Sequence, residues 1–256
     1  PPGRRRLQLR GIGVLYGKPD QGGCMSEYMV LDSIPFRLNA AELAKRVYLA
    51  EEDGELRRSW ESLVERVNAI GRPRAVYRDC TVDAVTADTV TVAGVTLKSR
   101  VLAAQLGGRR RLFACCATCG RETAELEESL DPLEQFWLEE LRMELLHHAS
   151  AALRREIMSR FGIPRLAGMA PGSGDAGVWP LQEQTKLFDG IFGGRIPELI
   201  GVELTDSLLM VPCKSTSGVL FAAEHDFATC RLCRRENCPG RRAPFDPEQW
   251  NRSGLE

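Results

Sequence analysis

The sequence lacks a long apolar run, an excess of charge of one sign, and an apolar signal segment at its start. Without about eighteen consecutive apolar residues, no segment is typical of a membrane-spanning helix. The 34 basic and 35 acidic residues leave a net charge of −1, whereas a nucleic-acid-binding protein usually presents a strongly basic face. The chain opens on Pro1-Pro2-Gly3 without a signal core. We therefore expect a cytoplasmic protein that binds neither a membrane nor a nucleic acid.

The common nucleotide-binding loops are also missing. The segment APGSGD (170–175) is not followed by the Gly-Lys-Ser or Gly-Lys-Thr of a P-loop. A dinucleotide fingerprint requires its glycines between a strand and a helix, and the sequence predicts no such arrangement. Gly172 and Gly174 would still let the backbone of this loop approach a ligand closely.

The chain does contain the composition of a folded globular protein. Its 256 residues are 43% hydrophobic and 27% charged, close to the averages of soluble domains. Hydrophobic patterning predicts the α+β class, with a mixed or antiparallel twisted sheet, one long helix and a cysteine-rich C-terminal tail. We expect a flexible N-terminal arm (1–23), a small α/β unit (24–106), a larger domain (107–228) and the tail (229–256).

Periodicity and helix breakers place the individual elements. Asn39 is a suitable helix cap, with Glu42 at the third helical position. The predicted helices are 40–50, 55–69, 133–161 and 180–192. Strands are predicted over 29–38, 110–119, 199–212 and 217–224, together with period-two alternation over 75–106.

Nine cysteines stand out in a chain of this size. An odd number, in a chain large enough to fold without cross-links, argues against a disulfide framework. Six of the nine fall in two groups, 115–119 and 230–238, which points to a cofactor. The full set is Cys24, Cys80, Cys115, Cys116, Cys119, Cys213, Cys230, Cys233 and Cys238.

The first group lies in an apolar run and is interpreted as core, because free cysteine behaves as a small buried hydrophobe. Strand alternation sends Cys116 to the opposite face from Cys115 and Cys119, so the three cannot meet one metal without a turn. His147 and His148 are neighbours on a helix and point in different directions. We expect packing and solvation, not metal binding, to account for the two histidines.

The tail carries the clearest cofactor signal. Cys230, Cys233 and Cys238 form a C-x2-C-x4-C motif, and thiolates are the ligands that zinc and iron–sulfur clusters favour. Five arginines nearby (Arg231, Arg234, Arg235, Arg241 and Arg242) would favour thiolate over thiol. A segment with little core of its own would also gain order from a metal. We therefore predict a metal site on these three cysteines.

The residues alone leave open the metal and its fourth ligand. His225 would complete a four-ligand zinc set of the form H-x4-C-x2-C-x4-C. Cys213, Cys116 and Cys119 are the other candidates, and we assign Cys119. A [4Fe–4S] cluster would tolerate three cysteines with an unusual fourth ligand.

Two segments of the C-terminal half resemble the activation domain of cobalamin-dependent methionine synthase, which binds S-adenosylmethionine. The first is Pro171-Gly172 followed by Trp179-Pro-Leu-x-Glu-Gln184, and the second is IGVELTDSLLMVPCKSTSG (200–218). The chain is similar to the stand-alone activation proteins of this family, which often carry a C-x2-C-x4-C tail ahead of an arginine. Looser similarity extends the resemblance to about 30–243, so that 107–228 resembles the activation domain proper.

The resemblance implies a helper of corrinoid chemistry and names no catalytic residue. The partners it implies are a corrinoid protein or cobalamin-dependent methyltransferase, and an electron donor such as a flavodoxin or ferredoxin. Because inactive cob(II) needs an electron, the resemblance favours a [4Fe–4S] cluster over zinc in the tail. The ligand contacts it implies come from Pro171, Gly172, Ser173, Lys214, Ser215, Ser217 and Gly218.

The chain departs from the family beside the Pro-Gly pair. The family has an arginine three residues before this pair and a tyrosine directly after it, where this chain has Gly168 and Ser173. Losing the guanidinium removes the natural partner of the carboxylate of S-adenosylmethionine, so we expect a changed ligand. The predicted function is reductive reactivation of cob(II) through a C-terminal iron–sulfur centre. The alternatives are a zinc-stapled, non-catalytic binding subunit and an ordinary S-adenosylmethionine-binding activation subunit of methionine synthase.

Overall fold

The chain is built on one antiparallel sheet. The computed structural model describes residues 12–16, 27–50, 53–225, 227–238 and 240–255. Its strands are β1 (Ile12–Tyr16), β2 (Glu27–Leu31), β3 (Arg74–Val85), β4 (Thr89–Val92), β5 (Val95–Lys98), β6 (Arg111–Thr118), β7 (Leu166–Met169), β8 (Glu203–Leu204), β9 (Met210–Val211) and β10 (Ser215–Ala222). The sheet runs in the order β1-β2-β3-β6-β10-β7, with β4 and β5 continuing from β3, while β8 and β9 form a separate pair.

Helices cover both faces of the sheet. They are α1 (Ala40–Ala44), α2 (Gly54–Ile70), α3 (Arg100–Leu106), α4 (Pro132–Phe161), α5 (Ile196–Ile200) and α6 (Pro247–Arg252). This combination confirms the predicted α+β class. Within the described ranges, none of the helices has the length and apolar character needed to cross a membrane.

The long helix α4 begins and ends close to its predicted bounds. The Asp131 carboxylate accepts the backbone N–H groups of Leu133 and Glu134, and the Glu134 side chain accepts the Asp131 N–H. This reciprocal pair satisfies backbone donors that a helix start leaves open. Gly162, at φ 63°, ends the helix in the left-handed region. The buried stripe of α4 packs against α2 and against the sheet.

Strand β6 lies at the centre of the sheet between β3 and β10. Cys115 packs on the α4 side, whereas Cys116 faces the opposite layer with α3 and α5. Cys119 follows the strand and packs between α2 and α4. All three side chains are buried, so their predicted core location and the opposite orientation of Cys116 are confirmed. The eight described cysteines are free thiols.

Two predicted elements have different structures for local reasons. Period-two alternation stops at β5, because the Ser99 hydroxyl accepts the Leu102 N–H and starts α3. The predicted helix 180–192 is a 3-10 turn (Leu181–Glu183) followed by a π-helical turn (Lys186–Ile191). Glycine at 190, 193 and 194 disfavours a regular helix there.

The prediction of one continuous strand over 199–212 is also wrong. Gly201, at φ 75°, ends α5, and the chain then turns at Thr205, whose N–H donates to Leu209 O. Only the two-residue strands β8 and β9 remain extended.

The predicted domain boundary between residues 106 and 107 separates strands that belong to one sheet. Strand β3 pairs with β6 from Arg74 opposite Thr118 to Thr81 opposite Arg111, so both parts share one core. Of the predicted N-terminal arm (1–23), only 12–16 is described, and it forms β1. Cys24 lies outside the described residues.

Candidate functional site

A cavity of about 290 Å³ lies between α4, the central strands and the tail. We call it the ligand cavity. Four parts of the chain line it: β6, α4, the end of β7 with its following loop, and β10 with the tail. Its lining includes Cys115, Ser150, Leu153, Arg154, Gly168, Ser173, Thr216, Ser217, Gly218, Phe227, Thr229 and Arg242.

The loop 170–175, called the Pro-Gly loop, is shaped by a tight turn. The Ser173 N–H donates to Ala170 O at 3.1 Å, and the Gly172 N–H donates to Trp179 O at 2.9 Å. Gly172 adopts φ 76°, a conformation that favours glycine. The turn directs Ser173 to the cavity, where its hydroxyl lies 3.1 Å from Thr229 Oγ1 of the tail. Pro171 and Gly172 therefore form the turn, while Ser173 lines the cavity.

Strand β10 supplies the wall opposite α4. Ser217 is buried, and both Ser217 and Gly218 line the cavity. A Cβ atom at Gly218 would lie 2.3 Å from Met169 O, closer than real carbon and oxygen atoms approach. Glycine at 218 thus allows β10 and the end of β7 to meet at this wall.

Two of the predicted ligand residues lie away from this cavity. Lys214 Nζ forms a salt bridge with Glu139 at 3.1 Å, and the Ser215 hydroxyl donates to Pro212 O at 2.7 Å. Lys214 instead lines a second cavity of about 460 Å³, together with Cys119 and Cys213. The structure therefore brings Ser173, Ser217 and Gly218 together, and separates Lys214 and Ser215 from them.

Two guanidinium groups at the ligand cavity were not among the predicted site residues. Arg154 extends from α4 and donates from Nη2 to Leu166 O at 2.5 Å. Arg242 approaches from the tail. Burial lowers the pKa of Arg154, and the positive charge of Arg242 acts in the same direction. In the sequence, Arg154 lies four residues after Ser150. This spacing places the two side chains on the same side of α4 and was the available signal for Arg154.

In the tail, the C-x2-C segment forms a backbone turn. The Cys233 N–H donates to Cys230 O at 3.3 Å. The Arg241 guanidinium holds this turn by donating to the carbonyls of Cys230 (3.2 Å) and Cys233 (3.1 Å). Cys230 Sγ accepts the Arg242 N–H at 3.5 Å. Burial raises the pKa of the Cys230 thiol, but this hydrogen bond and the Arg242 charge outweigh it and leave the pKa below its ordinary value.

The other tail arginines do not all serve the cysteines. Arg234 Nε lies 2.7 Å from Asp175 Oδ2, and its guanidinium stacks over Trp250 at 4.5 Å. Arg231 lies 3.8 Å from the carboxylate of Asp246. The contact with Asp175 attaches the tail to the Pro-Gly loop, and the other two join the cysteine segment to α6 within the tail. The predicted thiolate-stabilising role is therefore seen for Arg242 at Cys230.

The described residues do not assemble a metal site. Among them, no three His, Cys, Asp or Glu side chains lie close enough together to hold a metal ion. Cys119 is fully buried, and burial raises its pKa to about 12. Cys116 lies on the other face of the sheet. The arrangement does not fit a bound cluster, and the assignment of Cys230, Cys233, Cys238 and Cys119 as ligands stays a prediction.

No protein-family model and no curated protein sequence matches the chain. Among solved structures, the crystal structure of the MetH reactivation domain bound to AdoHcy matches with a TM-score of 0.50 and 16% sequence identity. The match covers 76% of this chain and 73% of that chain. The predicted resemblance is confirmed at the level of the fold. At this identity the match shows the fold alone.

Within the reactivation-domain fold, the two departures of this chain lie at the ligand cavity. Gly168 and Ser173 both line it. A Cβ at Gly168 would lie 2.8 Å from Leu220 Cδ2 and 3.4 Å from Arg154 Nη1. Leu220 and Arg154 therefore occupy the space that a side chain at 168 would enter. The Arg154 guanidinium reaches this place from α4.

Proposed function

We propose that this protein is an accessory protein of corrinoid (cobalamin) methyltransferase chemistry that acts in the reductive reactivation of cob(II). The observation that carries the proposal is a ligand-sized cavity formed by the Pro-Gly loop, β10 and the tail within a reactivation-domain fold. Ser173 comes from one resembling segment, and Ser217 and Gly218 come from the other. Two distant segments with the same family resemblance thus contribute to a single site, as a shared ligand would require.

The proposed partner is a corrinoid protein or a cobalamin-dependent methyltransferase. A corrinoid that works through cob(I) occasionally loses one electron and becomes inactive cob(II). Reactivation returns that electron, and the donor would be a flavodoxin or ferredoxin. The part of this chain would be to dock on the inactive corrinoid protein and hold it in the form that accepts the electron.

A [4Fe–4S] centre in the tail is the finer part of the proposal. The backbone turn between Cys230 and Cys233 and the lowered pKa of Cys230 support it. Because the described side chains do not gather three ligands, metal binding would have to reorganise the loop that Arg241 holds. Zinc on the same cysteines would make the tail a structural staple instead.

Metal analysis of anaerobically purified protein separates these two possibilities. Iron with acid-labile sulfide in stoichiometric amount supports the cluster, and stoichiometric zinc without iron contradicts it. Cys233→Ser should lose the bound metal, whereas Cys80→Ser, at a buried thiol of strand β3 outside the motif, should retain it. Metal-free protein from anaerobic cells would contradict both forms of the site.

An S-adenosylmethionine-binding activation subunit is the second candidate function. One finding favours it, namely that the similar reactivation domain is bound to AdoHcy. A subunit of this kind would use the same fold and the same cavity, which Ser173, Ser217 and Gly218 line. Direct binding measurements decide between this candidate and a changed ligand.

The reactivation role is tested by the reaction itself. A corrinoid protein held as cob(II) is mixed with a low-potential electron donor, and the loss of cob(II) absorption is followed with and without this chain. We expect faster loss of cob(II) with the chain present. Ser150→Phe, which fills the ligand cavity from α4, should reduce the effect, whereas Ser159→Phe on an exposed part of the same helix should not. Equal rates with and without the wild-type chain would contradict the proposal.

A further inference from the structure

The charged side chains that line the ligand cavity are all positive. Arg154 and Arg242 line it, and its described lining contains neither aspartate nor glutamate. Among the salt bridges of the described residues, none joins either arginine to a carboxylate. Hydroxyl groups complete the polar lining, from Ser150, Ser173, Thr216, Ser217 and Thr229.

Arg154 is held in place rather than free to leave the cavity. Its Nη2 donates to Leu166 O at 2.5 Å, and its Nη1 lies 3.4 Å from the position of a Cβ at Gly168. The planar guanidinium has further donors, and it borders a space lined by hydroxyl groups. Because glycine at 168 leaves room, the side chain reaches the cavity from α4.

Arg242 brings a second positive charge to the same space. Arg154 and Arg242 line the same cavity, and the charge of Arg242 contributes, after burial, to the lowered pKa of Arg154. Two like charges facing one cavity repel each other, and an anion between them would offset this repulsion. An oxyanion such as a carboxylate or phosphate accepts hydrogen bonds from two guanidinium groups and from hydroxyl groups at once.

We propose that the ligand cavity binds an anionic small molecule, whose carboxylate or phosphate group is held between Arg154 and Arg242. The inference deepens the proposed function and rests on it for the biological role of the site, while the binding itself is independent of any corrinoid partner. Arg154 would bind this group from α4, and Arg242 would bind it from the tail.

This charge pattern also sets which adenosyl ligands the site can accept. S-adenosylmethionine carries a sulfonium cation that S-adenosylhomocysteine lacks. Both ligands carry an α-ammonium group and a carboxylate. With two guanidinium groups and no carboxylate in the described lining, the sulfonium would add one further positive charge without a partner. We therefore expect S-adenosylmethionine to bind at least about tenfold more weakly than S-adenosylhomocysteine.

The experiment is calorimetric titration of the full chain with four probes, namely inorganic phosphate, succinate, S-adenosylhomocysteine and S-adenosylmethionine. Binding of phosphate with no binding of succinate assigns the anion as phosphate, and the reverse assigns it as carboxylate. The proposal is overturned if neither anion nor S-adenosylhomocysteine binds. It is also overturned if S-adenosylmethionine binds as tightly as S-adenosylhomocysteine.

Variants test the two arginines. Arg154→Gln and Arg242→Gln should each weaken binding of the anion by about tenfold, because each removes a charged donor. Arg155→Gln on the same helix and Arg235→Gln in the same tail are matched controls, since both side chains are exposed and neither lines the cavity. Unchanged affinity in both Arg154→Gln and Arg242→Gln would overturn the proposal. Should Arg154→Gln fail to fold, the exposed Arg242 still provides the test.

The two proposals fail in different experiments. Anion binding that depends on Arg154 and Arg242, without any effect on cob(II), would refute the corrinoid role and leave the binding site standing. Faster reactivation in the wild type with no anion binding would refute the site and leave the corrinoid role standing.

Discussion

Replacing Gly218 with alanine should force apart two strands at the wall of the ligand cavity. A Cβ there would lie 2.3 Å from Met169 O and 3.1 Å from the Ala170 Cα, and neither backbone atom can rotate away. Ordinary contact begins at 3.4 Å, so β10 and β7 would have to separate by roughly 1 Å. These strands pair over only four residues, Val219–Ala222 opposite Leu166–Met169.

The cost follows from this geometry. Weakening one or two strand hydrogen bonds costs about 1 kcal/mol each, and the remaining overpacking adds about 1–2 kcal/mol. We therefore expect Gly218→Ala to lower the free energy of unfolding by about 2–4 kcal/mol. For a domain of this size the Tm should fall by about 4–16 °C.

Urea unfolding followed by circular dichroism measures this free energy. Gly108→Ala is the matched control, because a Cβ at 108 would meet no atom within 4 Å. If Gly218→Ala and Gly108→Ala unfold with the same free energy, β7 and β10 do not approach as closely as the reasoning requires.

Three further predictions concern the Cys230 thiol, the cap of helix α4 and the buried Cys115 thiol. Arg242→Gln should move the alkylation of Cys230 by iodoacetamide to higher pH, because Arg242, against the opposing effect of burial, holds the pKa of this thiol below its ordinary value; the rate is measured against pH on metal-free protein. Asp131→Ala should lower the free energy of unfolding in urea by about 1 kcal/mol, because it removes the carboxylate that accepts the Leu133 and Glu134 N–H groups at the start of α4. Cys115 should resist alkylation in the folded protein and react after denaturation, since burial raises its pKa to about 12; mass spectrometry of the peptides identifies the modified site.

Each of these predictions has a matched comparison. Arg235→Gln should leave the Cys230 profile unchanged, and Glu140→Ala, exposed in the middle of α4, should cost less than the cap variant. Cys213 is exposed and should be alkylated in the folded protein, unlike Cys115. The opposite ranking in any of these pairs would contradict the corresponding argument.

The parts of the fold that could be predicted from the sequence are those with local signals. Helix α4 has its cap at Asp131 and its end at Gly162 within its own sequence, so its bounds were predicted to within a residue. Helix α3 was missed because it has seven residues and depends on the Ser99 cap, while its apolar residues continue the alternation of the preceding strands. The β8–β9 segment was missed because Gly201 ends α5 inside the predicted strand and because Arg121, from a distant part of the chain, contacts Gly201 and Glu203.

The candidate site was predicted only in part, for a related reason. Ser173, Ser217 and Gly218 followed from motif segments and do line the cavity. Arg154 belongs to no motif, and Arg242 was associated with the cysteines of the tail; only the packing of the tail beside α4 brings the two arginines to one cavity. An arginine one turn after Ser150, beside the buried Leu153, was the available hint.

The tail forms only one wall of the ligand cavity, and this has a consequence for how a ligand enters and leaves. Leu232 and Trp250 anchor the tail in the core, and Thr229 joins it to the Pro-Gly loop through Ser173. Regions held by few buried contacts open locally at a lower free energy than the global unfolding of a domain. Local opening of the tail would therefore widen the ligand cavity and leave the eight-stranded sheet intact. A site constructed in this way can open and close while the domain that positions its other walls stays folded.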